Sequence, residues 1–236
     1  MFQYNDIQLI SRKPTTELCE IMYRNYSDKS SLHKHHNYSL IYDEMFSELR
    51  NKKINILEIG IGSVNPNIPS NMTGGDLGRI YRPGASIRGW YEYFPNANIY
   101  CCDIDRDILN FEEDRIHGFY MDQTNEENIK NVLNNVLGDI KFDIIIDDGL
   151  HWFPVNCNVM HHLLPKLKRG GYYVIEDIEH TQYNYRYLDI QKLVNTNYQY
   201  LRLPNVHNTA DNNLFILKKN GSEFDFTVEF LRMGHL

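Results

Sequence analysis

Between residues 54 and 219 the chain alternates short apolar runs with segments of helical spacing. INILEIG, NIYCCDID, FDIIIDD and GGYYVIEDI, with the shorter HGFYMD, read as strands. The longer runs are apolar at successive positions, which predicts burial on both faces. GASIRGWYEYF, NEENIKNVLNNVL and FPVNCNVMHHLLPKL lie between them and are predicted helices. Pro95 stops the first helix, and Pro154 sits in the first turn of the last. Strands that alternate with helices in this way form a mostly parallel sheet covered on both sides. YLDIQKLVN, a further helix, precedes YQYLRLP and NNLFILKK. These two strands have only a short connection, so they are predicted as an antiparallel pair at one edge.

The expected fold is therefore α/β and Rossmann-like, with seven strands and a terminal antiparallel pair. With 236 residues, 42% of them hydrophobic, one domain can bury its core. Residues 1–50 read as an N-terminal helical extension, with helices at LCEIMYRNY and YSLIYDEMFSEL. Residues 51–220 read as the core and 221–236 as a tail. A net charge of −7 without a basic patch disfavours nucleic acid and suits small diffusible substrates. Cys19, Cys101, Cys102 and Cys157 lack a CxxC spacing, which suits reduced thiols in a cytoplasmic protein. The first residues lack the pattern of a signal peptide, and no apolar run has the length to span a membrane. A homodimer through the N-terminal helices is allowed by the sequence.

Ligands of such sheets bind beyond the carboxyl ends of the strands, and those ends carry the polar residues here. The first strand ends in LEIGIGS. Gly60 and Gly62 allow close backbone approach, and Glu58 suits a cationic or amine-bearing ligand. Asn65 stands where a nicotinamide-cofactor fingerprint has its third glycine. A plain tight turn is the alternative for this motif alone. Asp103, ending the second strand, can take both hydroxyls of a ribose. Asp122 and Gln123, ending the third, can read the edge of an adenine. Residues 63–83 form a long loop rich in Asn, Pro and Gly, a length that marks function or mobility.

The fourth and fifth strands end in DDGLH and VIEDI. Asp147 and Asp148 are neighbours on a strand, so they point to opposite faces. One split turns Asp147 towards the cofactor and Asp148 towards the substrate. Asp148, Glu176 and Asp177 then form an oxygen-rich cluster beside His151. Three carboxylates this close need a cation, and hard oxygen donors suit Mg²⁺, Mn²⁺ or Ca²⁺. Helix capping or plain solvation is the alternative for any one of them.

The E-x-G-x-G turn, the acidic second strand and the terminal pair resemble the class I S-adenosylmethionine-dependent methyltransferases over residues 54–219. That resemblance implies that Gly60 and Gly62 pack on the methionine part, with help from Ser86 and Arg88. It implies that Asp103 binds the ribose and that Asp122 and Gln123 bind the adenine. DDGLH followed by YYVIEDI, with GASIRGWYEYFPNANIY upstream, is similar to the metal-dependent sugar O-methyltransferases of macrolide biosynthesis. This narrower resemblance implies Asp148, Glu176 and Asp177 as Mg²⁺ ligands and His151 as the base. The chemistry is coherent on its own terms. A metal lowers the pKa of a sugar hydroxyl, and a histidine titrates near neutral pH. Competing readings are a catechol-like or phosphorylated acceptor, a nucleotide-dependent oxidoreductase, and a non-catalytic S-adenosylmethionine-binding subunit.

Other features read more plainly. His33, His35 and His36, in HKHH, read as a solvated face rather than a metal site. His161 and His162 read as partly buried structure. Trp90 and Trp152 are expected near the cofactor edge, and Tyr81 and Arg82 as lid residues. Tyr183, Tyr185 and Tyr187 either line a sugar site or lie on the surface.

Overall fold

The computed structural model describes residues 10, 15–74, 77, 80–179, 186, 187 and 197–219. Among these, seven strands form one sheet in the order β3-β2-β1-β4-β5-β7-β6. They are β1 (Asn55–Ile59), β2 (Asn98–Asp103), β3 (Ile116–Tyr120), β4 (Phe142–Asp147), β5 (Leu167–Ile175), β6 (Asn197–Arg202) and β7 (Asn213–Lys218). The first five run parallel, and β7 is antiparallel to both β5 and β6. This is the expected sheet, with β7 wedged between β5 and β6. The helix expected at YLDIQKLVN, beyond Tyr187, lies outside the described residues, as do Tyr183, Tyr185 and the tail 221–236.

Helices α1 (Glu17–Arg24), α2 (Tyr38–Phe46), α3 (Ala85–Tyr93), α4 (Glu126–Asn131) and α5 (Phe153–Leu163) cover the sheet. Their starts follow local chemistry. The Thr16 hydroxyl accepts from the Cys19 amide, and the Asn125 side chain accepts from the Asn128 amide, each satisfying a free helix-end donor. Pro154 falls in the first turn of α5, where no amide is needed.

Strand alternation decides which layer each residue serves. Ile56, Ile144, Ile146, Val174 and Ile216 pack with Leu18, Met22, Tyr42 and Ile87 of α1, α2 and α3. Leu57, Ile145, Tyr173, Ile175 and Leu217 pack with Ile129, Val159 and Leu163 of α4 and α5. Each such side chain contributes about 1.5–3 kcal/mol on burial, so the central strands form a stiff base for their own ends. The same alternation sends Glu58 and Glu176 to the α1–α3 layer and Asp147 to the α4–α5 layer.

The expected N-terminal extension shares this core: Leu18, Met22, Tyr42 and Phe46 belong to one apolar cluster with β1, β4 and β5. The segment between α1 and α2 reaches the strand ends, where Lys29 and His36 meet acidic side chains. All four cysteines are buried free thiols. No helix among the described residues is long and apolar enough to cross a membrane.

Candidate active site

A cavity of about 730 Å³ lies at the carboxyl ends of β1, β2, β4 and β5, a size that takes a cofactor and part of a second molecule. Gly60, Gly62, Ser86, Asp103, Asp122 and Gln123 line one part of it. Asp148, His151 and Asp177 line another. Ile68, Met72 and Tyr81 of the long loop and Asp28, Lys29 and His33 of the N-terminal segment complete the wall.

The glycine turn is dictated by close approach. Gly60 and Gly62 have φ of 80° and 77°, a region that side chains other than glycine's rarely enter. A Cβ on Gly60 would run into the Asp148 carbonyl, and one on Gly62 into the Tyr81 hydroxyl. Tyr81 donates to the Ile61 carbonyl at 3.2 Å, so it stands over the turn. Asp103 accepts from the amides of Ile61 and Asp105, both at 2.9 Å. Burial pushes its carboxyl above the usual range, and these amide bonds pull it back. Asp122 accepts from the Thr124 amide at 2.9 Å and hydroxyl at 2.6 Å.

Three expected cofactor contacts lie elsewhere. Glu58 is fully buried in the α1–α3 layer, accepting from Ser86 and from the Trp90 indole, each at 2.5 Å. The cationic group near it is the protein's own Lys29, at 3.6 Å. Arg88 turns away from the cavity, donating to Glu113 at 3.1 Å and to the Pro83 carbonyl at 2.8 Å. Asp147 does not line the cavity: it is 0% exposed, and accepts from Gln123 at 2.8 Å, Asn156 at 3.0 Å and Tyr173 at 3.4 Å. Gln123 in turn accepts from the Leu150 amide at 3.0 Å, so its amide group braces the DDGLH turn.

Asp148, His151 and Asp177 come together, each with a donor atom within 4.8 Å of the others. His151 and Asp177 hold φ of 55° and 50°. Such a conformation costs a non-glycine residue about 1–3 kcal/mol and recurs at ligand sites. The buried Nδ1 of His151 has no hydrogen-bond partner. Glu176 does not join this trio. It is 1% exposed and accepts from Lys29 at 2.6 Å and Tyr42 at 2.5 Å.

Lys29 is the residue that sequence reasoning missed. Its ammonium, 2% exposed, pairs with both Asp148 and Glu176. Burial opposes its charge, but Asp148, Glu176 and Glu58 outweigh that and hold the ammonium well above its usual range. Burial pushes Asp148 up to about 7 despite the pull of Lys29. Burial also opposes ionisation of Asp177, yet His36 and His151 hold it below the usual carboxylate range. A lone lysine in YSDKSS gives no pattern to find. The available signal was charge balance: a buried acidic cluster demands a cation, and a side chain serves as well as an ion.

His36 departs from the solvated reading of HKHH. It is buried, stacks on Tyr38, and lies 3.5 Å from Asp177. Trp90 packs with Tyr42 and Phe46 inside the core rather than at a cofactor edge. Trp152 is 52% exposed beside His151. Tyr187 is buried and donates to Asn156 at 2.8 Å, so it neither lines the cavity nor lies on the surface.

Known proteins share this architecture. No protein-family profile matches the chain. The 8-demethyl-8-alpha-L-rhamnosyl tetracenomycin-C 2'-O-methyltransferase of Streptomyces olivaceus is 30% identical over 162 residues, 69% of this chain and 38% of its own. The mycinamicin VI 2''-O-methyltransferase of Micromonospora griseorubida is 33% identical over 171 residues, 71% of this chain and 37% of its own. Among solved structures, the MycE methyltransferase of the mycinamycin biosynthetic pathway, in complex with Mg and SAH, superposes with a TM-score of 0.62 at 25% identity. That match covers 90% of this chain and 56% of the other. The chain thus spans less than two fifths of the length of these curated relatives.

Proposed function

From a chain that has the class I methyltransferase fold and resembles sugar O-methyltransferases over part of their length, we propose a metal-dependent O-methyltransferase. It moves a methyl group from S-adenosylmethionine to a hydroxyl of a sugar or sugar-bearing small molecule. The observation that carries this reading is one cavity that joins the glycine turn and Asp103 to the Asp148, His151 and Asp177 trio.

In this reading Gly60, Gly62 and Ser86 receive the methionine part, Asp103 the ribose hydroxyls and Asp122 the adenine, while Gln123, whose amide is held by Asp147 and Leu150, shapes the wall beside it. The acidic lining favours a sulfonium cation over the neutral thioether left after transfer, an electrostatic preference within the wall itself. The oxygens of Asp148 and Asp177 beside an unpartnered imidazole nitrogen fit a divalent ion, with Mg²⁺ the expected one. Glu176, the third ligand implied by the sequence, would join them only by giving up Lys29 and Tyr42. When bound, the ion supplies Lewis acidity that lowers the pKa of the acceptor hydroxyl. His151 accepts the proton, with its ring placed beside Asp148 and Asp177. The walls hold donor and acceptor in line, which is where much of the rate comes from.

Labelled S-adenosylmethionine, Mg²⁺ and a panel of free and glycosidic sugars test the reading. Methyl transfer that EDTA abolishes is expected. Transfer undiminished in EDTA would overturn the metal's role. Transfer to catechols or phosphorylated small molecules but to no sugar would overturn the acceptor class.

A further inference from the structure

The metal-dependent reading makes Asp148 and Asp177 ion ligands, but the acidic cluster already contains a cation. Lys29 enters from the segment between α1 and α2, far from β4 and β5 in sequence. Its ammonium reaches Asp148 and Glu176 together and stands 3.6 Å from Glu58. It is 2% exposed, so water does little to screen it. Tyr42 and Tyr38 hold the second carboxylate layer from behind, donating to Glu176 at 2.5 Å and to Asp177 at 2.8 Å.

We propose that Lys29 is a positioning residue of the site: a built-in cation that keeps the carboxylates assembled without a metal and competes with the divalent ion for them. The inference rests on the metal-dependent reading above and adds a residue to it. Two consequences follow from Coulomb's law. Without the ammonium, Asp148, Glu176 and Asp177 repel one another, so the metal-free protein loses stability. With the ammonium gone, a divalent ion meets no like charge beside Asp148 and finds Glu176 without its lysine partner, with Tyr42 still donating to it. Binding of the ion then strengthens. A lysine that served only to pack the N-terminal segment would give the first effect without the second.

The test compares Mn²⁺ binding, followed by calorimetry and by the electron paramagnetic resonance of free Mn²⁺, in wild type, Lys29→Met and Lys29→Gln. S-adenosylmethionine affinity checks the fold of each variant. The expected result is a Kd for Mn²⁺ at least about tenfold lower in both variants, since like charges this close in a poorly screened site repel by more than that factor. The metal-free variants should also melt below wild type and gain more from Mn²⁺ than wild type does. Variants that fold only when Mn²⁺ is present would be the same result in stronger form. Folded variants with unchanged or weaker Mn²⁺ binding would overturn the proposal while leaving the metal reading intact. So would variants that fail to fold even with Mn²⁺ present. Absence of Mn²⁺ binding in wild type and variants alike would overturn the metal reading, and the lysine's competing role with it.

Discussion

The two halves of the cavity are built differently. On the β1–β3 side the partners lie within the strand-end turns: Asp103 accepts from the Asp105 amide two residues on and from the Ile61 amide of the neighbouring β1 turn, 42 residues away, and Asp122 accepts from Thr124 two residues on. On the β4–β5 side the partners come from far along the chain. Lys29 and Glu176 are 147 residues apart, and Tyr38 and Asp177 are 139 apart. The first half is set by turns at neighbouring strand ends, each encoded by a short motif. The second exists only once α1, α2 and the sheet have packed, so its charges depend on the whole fold. At the strand ends themselves, backbone strain divides in the same way. The glycine turn takes positive φ at residues that tolerate it, whereas His151 and Asp177 take it at a cost.

If the β4–β5 half holds the ion, Asp148→Ala should have the largest effect. Methyl transfer and Mn²⁺ binding should both fall to background, while S-adenosylmethionine binding persists in calorimetry. Loss of cofactor binding as well would erase the distinction between the halves. His151→Ala comes next. Turnover should drop by about 10²–10⁴-fold, as for loss of a general base, with both affinities kept in separate titrations. Normal turnover at neutral pH would remove His151 from the proton transfer. On the β1–β3 side, Asp103→Ala should weaken S-adenosylmethionine by about 1.5–3 kcal/mol, the worth of charge-assisted hydrogen bonds. Unchanged affinity would mean the ribose lies elsewhere. Arg88→Ala sets the lower limit. Because its guanidinium faces Glu113 and Pro83, cofactor affinity should shift by less than about twofold. A large loss would return Arg88 to the cofactor's contacts.

These contrasts follow what the sequence made legible. Apolar runs marked all seven strands, and the glycine or acidic ends of the first five put Gly60, Gly62, Asp103, Asp122, Asp148, His151 and Asp177 at one cavity. The side-chain directions of Glu58, Asp147 and Glu176 were harder. Parity with Ile56, Ile145 and Val174 assigns each to a helical layer, but in strands buried on both faces it does not separate them from Asp148 and Asp177, which share parity with Ile146 and Ile175 and still line the cavity. Lys29 and His36 had no local signal at all, because a polar segment that crosses the strand ends looks like any solvated loop. What it does there is fixed by the packing of α1 and α2, not by its own residues.

The central claim is that the glycine turn and Asp103 form an S-adenosylmethionine site that needs no metal for its assembly. Calorimetric titration of the wild-type protein in EDTA, first with S-adenosylmethionine and then, in a separate run, with NAD, tests this directly. The account predicts saturable binding of one S-adenosylmethionine per chain and no heat from NAD. Binding of NAD, or no binding of S-adenosylmethionine, would contradict it.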